Sequence, residues 1–146
     1  MKIERFEDIK AWQEARALVN MIYAAVGSDG RFASDYRFRE QIQAAGVSVM
    51  SNLAEGFSRR TTREFVQFLF IAKGSVAEVQ SQLYVALDQG YTSQEKFDEL
   101  YSRSDEVARL ISGFIKYLLN KDKPQQLKEP NKLNKRNEPK RLKELK

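Results

Sequence analysis

"FVQFLFIAKGSVAEVQSQLYVA", residues 65–86, places Phe65, Leu69, Ala72, Val76, Val79, Leu83 and Ala86 in an unbroken alternation of four and three steps. A strand would alternate every second residue, whereas this repeat keeps one apolar seam on a long α-helix lying beside others. Thr61-Thr62-Arg63-Glu64 before it reads as a Thr-x-x-Glu capping box. Gly90 after it is a helix stop.

The segments on either side have the same period. Downstream, Thr92-Ser93-Gln94-Glu95 is a second capping box, and Phe97, Leu100, Ser104, Val107, Ile111, Phe114 and Leu118 carry a helix to about Asn120. Upstream, Phe38, Ile42, Ala45, Val49 and Leu53 mark a helix from about Tyr36 to Glu55, with Gly56 as its C-terminal stop. Ile9, Trp12, Ala15, Val19, Ile22 and Val26 mark the first helix, from Phe6 to about Val26. "GSDGRFASD", residues 27–35, has the glycines and short polar residues of a loop, with Ser34 or Asp35 as the next cap. Four long helices joined by short connections predict an all-α fold, an antiparallel up-down-up-down four-helix bundle over residues 1–120. Residues 121–146 form a second, basic region with Pro124, Pro130 and Pro139 and few apolar side chains, for which disorder or short local helix is expected. Pro-x-x-Leu recurs there at Pro124/Leu127, Pro130/Leu133 and Pro139/Leu142.

Composition narrows the chemistry. The chain has no cysteine and no histidine, which removes thiol and imidazole nucleophiles, the usual acid–base residue and nearly every zinc site. A reducing cytoplasm is the expected setting, and neither the charged N-terminus nor any apolar run suggests export or a membrane span. The net charge is +5, yet residues 120–146 hold 10 Lys and Arg against 4 Asp and Glu. The body is therefore near neutral, and the nucleic-acid inference that a basic chain invites applies to the tail.

Three constellations are candidates for function. Glu55 and Glu78 on the two central helices evoke a di-iron bundle, but that site needs Glu-x-x-His pairs and there is no histidine, so no metal and no cofactor is expected. Gln41, Ser48, Asn52 and Glu55 on one helix and Ser75, Glu78 and Gln82 on the next form facing polar lines. They read as a polar seam that fixes register between helices or subunits, with a ligand pocket as the alternative. At the turn between those helices, Arg59, Arg60 and Arg63 gather around a helix start, where free N–H groups and guanidinium groups suit phosphate. The alternative is that Glu55, Glu64 or Glu40 pairs with the arginines, and Phe57 beside them is a staple for the corner or a stacking surface. Tyr23, Phe68, Phe70, Tyr84, Tyr101 and Tyr117 lie partly off the seams, an excess that points to self-association.

Three ordered blocks carry a family resemblance over about residues 6–119. They are "FEDIKAWQEA" (6–15), "QIQAAGVSVMSNLAEGFSRRTTREF" (41–65) and "FLFIAKGSVAEVQSQL" (68–83). The chain resembles the bacterial four-helix-bundle proteins encoded in intervening sequences of 23S rRNA genes, the S23 or IVS proteins, whose fold is shared by the accessory variability determinant of diversity-generating retroelements. The resemblance implies a homo-oligomeric ring, a pentamer, with a positively charged surface, no catalysis and an RNA or nucleic-acid-handling partner. Where members commonly carry an arginine pair, this chain has Gln43 and Ala44.

The expected function is a non-enzymatic oligomeric scaffold that contacts phosphates of structured RNA. Arg59, Arg60, Arg63 and Lys73 of the body and Lys132, Lys135, Arg136, Lys140 and Arg141 of the tail are the expected contacts. The alternative is a protein adaptor, such as an accessory subunit of a reverse transcriptase. No membrane partner is expected.

Overall fold

The computed structural model describes residues 2–121, and the segment expected to be a basic tail lies, apart from Lys121, outside them. Five helices form: α1 (Lys10–Gly27), α2 (Gly30–Ser34), α3 (Tyr36–Phe57), α4 (Thr62–Asp88) and α5 (Gln94–Lys121). The fold is all-α. The four long helices close a square in which α3 packs on α4, α4 on α5, and α1 on both α3 and α5. Its core is the expected seam of α4, with Leu69, Ala72, Val76, Val79, Leu83 and Ala86 sealed against Leu18, Ile22, Ile42, Val49, Leu53, Leu100, Val107 and Ile111.

The seams slip by one residue at the turn end of the bundle. Val66 and Ile115 are buried where Phe65 and Phe114 were expected, and the two phenyl rings instead meet edge to face 5.4 Å apart, half-buried. On α1 the core includes Ala11 and Leu18, while Trp12 and Val19 are half-buried. Trp12 packs edge-on against Phe6 at 5.1 Å. Phe6 belongs to a short 3-10 turn, Phe6–Asp8, and the extended Ile9 separates that turn from α1, so the first helix starts four residues later than expected.

Residues 27–35 are a larger departure from expectation. Asp29 Oδ1 accepts from the N–H groups of Arg31 (2.9 Å) and Phe32 (3.1 Å), which nucleates α2. Phe32 is thereby turned inward, buried between Phe38 (5.6 Å) and Tyr91 (5.1 Å). Asp35 caps α3 by accepting from Phe38 N–H, and it also accepts from the Tyr91 hydroxyl at 2.8 Å. Arg31 donates to the carbonyl of Gly90 at 2.7 Å. This end of the bundle is thus closed by a cap that ties the α1–α3 connection to the α4–α5 turn. Gly90 does end α4, with φ at +73°, a conformation for which glycine is suited.

Gly56 has a different role from the one expected. It is the penultimate residue of α3, buried, and α3 continues past it to Phe57 with Ser58 as its cap. A Cβ on Gly56 would lie 2.8 Å from Phe68 Cβ and 2.9 Å from Phe65 Cδ1. Its missing side chain therefore permits α3 and α4 to approach closely beside their shared turn.

The two capping boxes are each corrected in part. Thr61 Oγ1 accepts from Glu64 N–H at 3.2 Å, but the return bond from the Glu64 carboxylate is not formed. At α5 the cap is Ser93, whose hydroxyl accepts from Lys96 N–H at 3.1 Å. Thr92 Oγ1 is buried without a partner among the described residues.

Candidate nucleic-acid interface

The turn between α3 and α4 separates the three arginines into two kinds. Arg59 sits four residues after Glu55 and pairs with it, Nη2 to Oε1 at 2.5 Å. Its guanidinium also lies 4.7 Å from the centre of the Phe68 ring. Both contacts hold Arg59 against the bundle, so the carboxylate-pairing alternative describes this residue. Arg60 and Arg63 are exposed and have neither an ion pair nor an aromatic partner among the described residues. Glu64 and Glu40 pair with no arginine there.

Two cations at a helix start run against the helix dipole. Glu64 in the first turn of α4 and the Thr61 hydroxyl on its N–H offset part of that conflict. The backbone N–H groups of Thr62 and Arg63 keep no protein acceptor among the described residues. Exposed guanidinium groups beside free N–H groups can bind an oxyanion.

The surroundings extend this charge. The N-terminal segment, the end of α3, the start of α4 and the end of α5 meet at one end of the bundle, which carries Lys2, Arg5, Arg59, Arg60, Arg63, Lys116 and Lys121 against Glu4, Glu7, Asp8, Glu55 and Glu64. The opposite end carries Asp29, Asp35, Glu40, Asp88, Glu95, Asp98 and Glu99 against Arg31, Arg37, Arg39 and Lys96. The near-neutral body is therefore polarised along its axis, and the chain leaves it at the basic end, at Lys121. Lys73 is exposed on α4 but ten residues beyond Arg63, about 15 Å along the axis at 1.5 Å per residue. Lys132, Lys135, Arg136, Lys140 and Arg141 lie outside the described residues.

The polar lines on α3 and α4 come together only at their centre. Ser48 Oγ and Ser75 Oγ are 2.9 Å apart across the two helices. Asn52 donates to the Ser48 carbonyl (2.8 Å) and hydroxyl (3.0 Å). Glu78 accepts from Gln82 at 3.4 Å on the exposed side of α4, and Gln82 Oε1 is enclosed without a partner among the described residues. Gln41 is exposed, and Glu55 is drawn away to Arg59. Among the described residues, no group of three or more His, Cys, Asp or Glu could hold a metal ion, and no helix is long and apolar enough to cross a membrane.

Of the side chains expected to lie off the seams, Tyr23, Phe70, Tyr84 and Tyr117 are at least half exposed. Phe68 and Tyr101 are half-buried within the bundle. The periodicity did not single out Ile71, Val85 and Val47, which are also exposed and, with Phe70 and Tyr84, spread along the outer side of α4 and its neighbour α3.

No curated protein matches the chain. A crystal structure of a protein of unknown function from the S23 ribosomal protein family of Bacteroides thetaiotaomicron is similar, with 22% identity and a TM-score of 0.62 over 73% of this chain and 95% of that one. At that identity the likeness is one of fold. The family model described as 23S rRNA-intervening sequence protein matches residues 7–113, from the turn before α1 to well into α5. The chain thus belongs to the family of 23S rRNA-intervening sequence proteins.

Proposed function

We propose that the protein is a non-enzymatic, cytoplasmic homo-oligomer that binds structured RNA through phosphate contacts. The observation that carries this is the axial charge separation, with Arg60 and Arg63 exposed and, among the described residues, unpaired at the end from which the basic C-terminal sequence departs. Charge of this kind meets the phosphate backbone and selects shape over sequence. The family's description, which refers to 23S rRNA, supports RNA as the polyanion.

The outer side of α4 supports self-association. Phe70 and Ile71 are 55% and 53% exposed, and Tyr84 and Val85 continue that surface two heptads further on. Gly74 between them has open space around it, where a neighbouring helix could approach. Such a patch is covered most simply by another copy, and the family resemblance implies five copies in a ring.

The test is fluorescence anisotropy of a labelled rRNA hairpin titrated with the full chain at several salt concentrations. Binding that weakens steeply between about 50 and 200 mM salt supports phosphate contact. Absence of binding at the lowest salt refutes it, and binding that appears only with a second protein favours an adaptor.

A further inference from the structure

A cleft opens at the basic end of the bundle, beside the arginine turn. Its volume is about 480 Å³, within the roughly 300–1,000 Å³ typical of small-ligand sites. Phe57, Phe65, Phe114 and Tyr117 wall it, and Lys2 and Lys121 stand at it with no carboxylate in the lining. Phe114 and Tyr117 are nearly parallel, 13° apart at 6.1 Å, while Phe57 and Phe114 each meet Phe65 edge-on. Tyr117 is 52% exposed, so the wall is in part open to solvent.

We infer that this cleft receives an unpaired nucleobase of the bound RNA, which stacks on Tyr117 while its flanking phosphates meet Lys2 and Lys121 on one side and Arg60 and Arg63 on the other. The inference rests on the RNA-binding function proposed above and adds to it a preference for unpaired nucleotides. The charge of the site selects the occupant. Aromatic walls alone would suit any apolar segment, but a lining with two lysines and no acid favours an anion that has flat aromatic faces. Among the described residues Lys2 pairs with the exposed Glu4 at 3.4 Å and Lys121 has no ion pair. Phe57 and Phe65, which wall the cleft, flank in the chain the turn that carries Arg60 and Arg63. The slipped seam explains why the rings are available, because Val66 and Ile115 fill the core in place of Phe65 and Phe114.

The experiment compares two RNAs of equal phosphate number with the full chain. One is a hairpin carrying 2-aminopurine at an unpaired position, and the other is a fully paired duplex. The hairpin is expected to bind about tenfold more tightly, a change of about 1.4 kcal/mol, with quenching of the 2-aminopurine as it stacks. Tyr117→Leu keeps the apolar surface, and it should bring hairpin affinity down to the duplex value and abolish the quenching while leaving duplex affinity unchanged. Arg60→Ala with Arg63→Ala should weaken both RNAs together. Circular dichroism checks that each variant is folded, and Phe114→Leu is the second variant should Tyr117→Leu not fold. Equal affinities without quenching overturn the cleft assignment while RNA binding stands, and leave the cleft as a seat for an apolar peptide. Failure to bind either RNA overturns both.

Discussion

Gly56→Ala is expected to destabilise the bundle, although alanine is the better helix former. The added methyl would sit 2.8 Å from Phe68 Cβ and 2.9 Å from Phe65 Cδ1, with the Phe65 carbonyl at 3.3 Å. Phe68 Cβ is fixed to the α4 backbone, so no rotamer change clears it. The two helices must part by a few tenths of an ångström or more beside a short turn, a strain of about 1–3 kcal/mol by analogy with overpacked cores. Against this stands a gain of up to about 1 kcal/mol from replacing a helical glycine, reduced here because Gly56 is next to the last residue of α3. The net expectation is a loss of about 1–2 kcal/mol, which at a urea slope of about 2 kcal/mol/M lowers the unfolding midpoint by about 0.5–1 M. Gly113→Ala is the internal control. Gly113 lies in mid-α5, exposed, with nothing within 4 Å of the place its methyl would take, so the same exchange should stabilise by about 0.5–1 kcal/mol. If Gly56→Ala raises the midpoint as Gly113→Ala does, the close-approach explanation is wrong.

Ser75→Ala should cost about 0.5–1.5 kcal/mol in urea unfolding, since it removes the side-chain bond that crosses from α3 to α4 at their centre. Phe70→Glu combined with Ile71→Glu should reduce the sedimentation coefficient to that of a single chain without changing the helical circular dichroism. An unchanged oligomer would remove the α4 face from the interface. Glu14 is held below the ordinary carboxylate range by the hydrogen bond from Lys10 and then that from Arg103, against the opposing effect of burial. Its contribution is therefore present at neutral pH and lost as pH falls from about 4.5 through the lowered value. Wild type should exceed Glu14→Gln in urea midpoint at pH 7, and the difference should shrink steadily as the pH is taken below about 4.5.

The long helices were legible because their apolar residues keep one period for five or six turns, and no local residue contradicts it. Legibility failed where a residue's role depends on what lies across from it. Gly56 has the sequence signature of a helix stop, and only the position of Phe65 and Phe68 reveals it as a contact point. Phe32 stands in a glycine-rich stretch without periodicity, and it enters the core because Asp29 turns the chain there. The slip from Phe65 to Val66 and from Phe114 to Ile115 occurs at the turn end of the bundle, where the Phe57, Phe65 and Phe114 rings pack on one another and leave the core position to the smaller neighbour. At the arginine corner, the Glu55–Arg59 spacing of four was visible in the sequence. The Phe68 ring that completes Arg59's anchorage comes from the next helix, and so does the contrast with the unpaired Arg60 and Arg63.

That contrast is best tested by the salt dependence of hairpin binding, measured by anisotropy on a chain ending at Lys121, beside the same chain with Arg60→Ala and Arg63→Ala. The shortened chain keeps every buried core residue among those described, from Ile9 to Leu118. If this end of the bundle is an RNA surface, the shortened chain binds the hairpin, and the substitutions lower the slope of log affinity against log salt by about 2, close to 0.9 for each phosphate that a guanidinium no longer neutralises. Loss of all binding with residues 122–146, or a slope that the substitutions leave unchanged, would contradict that assignment.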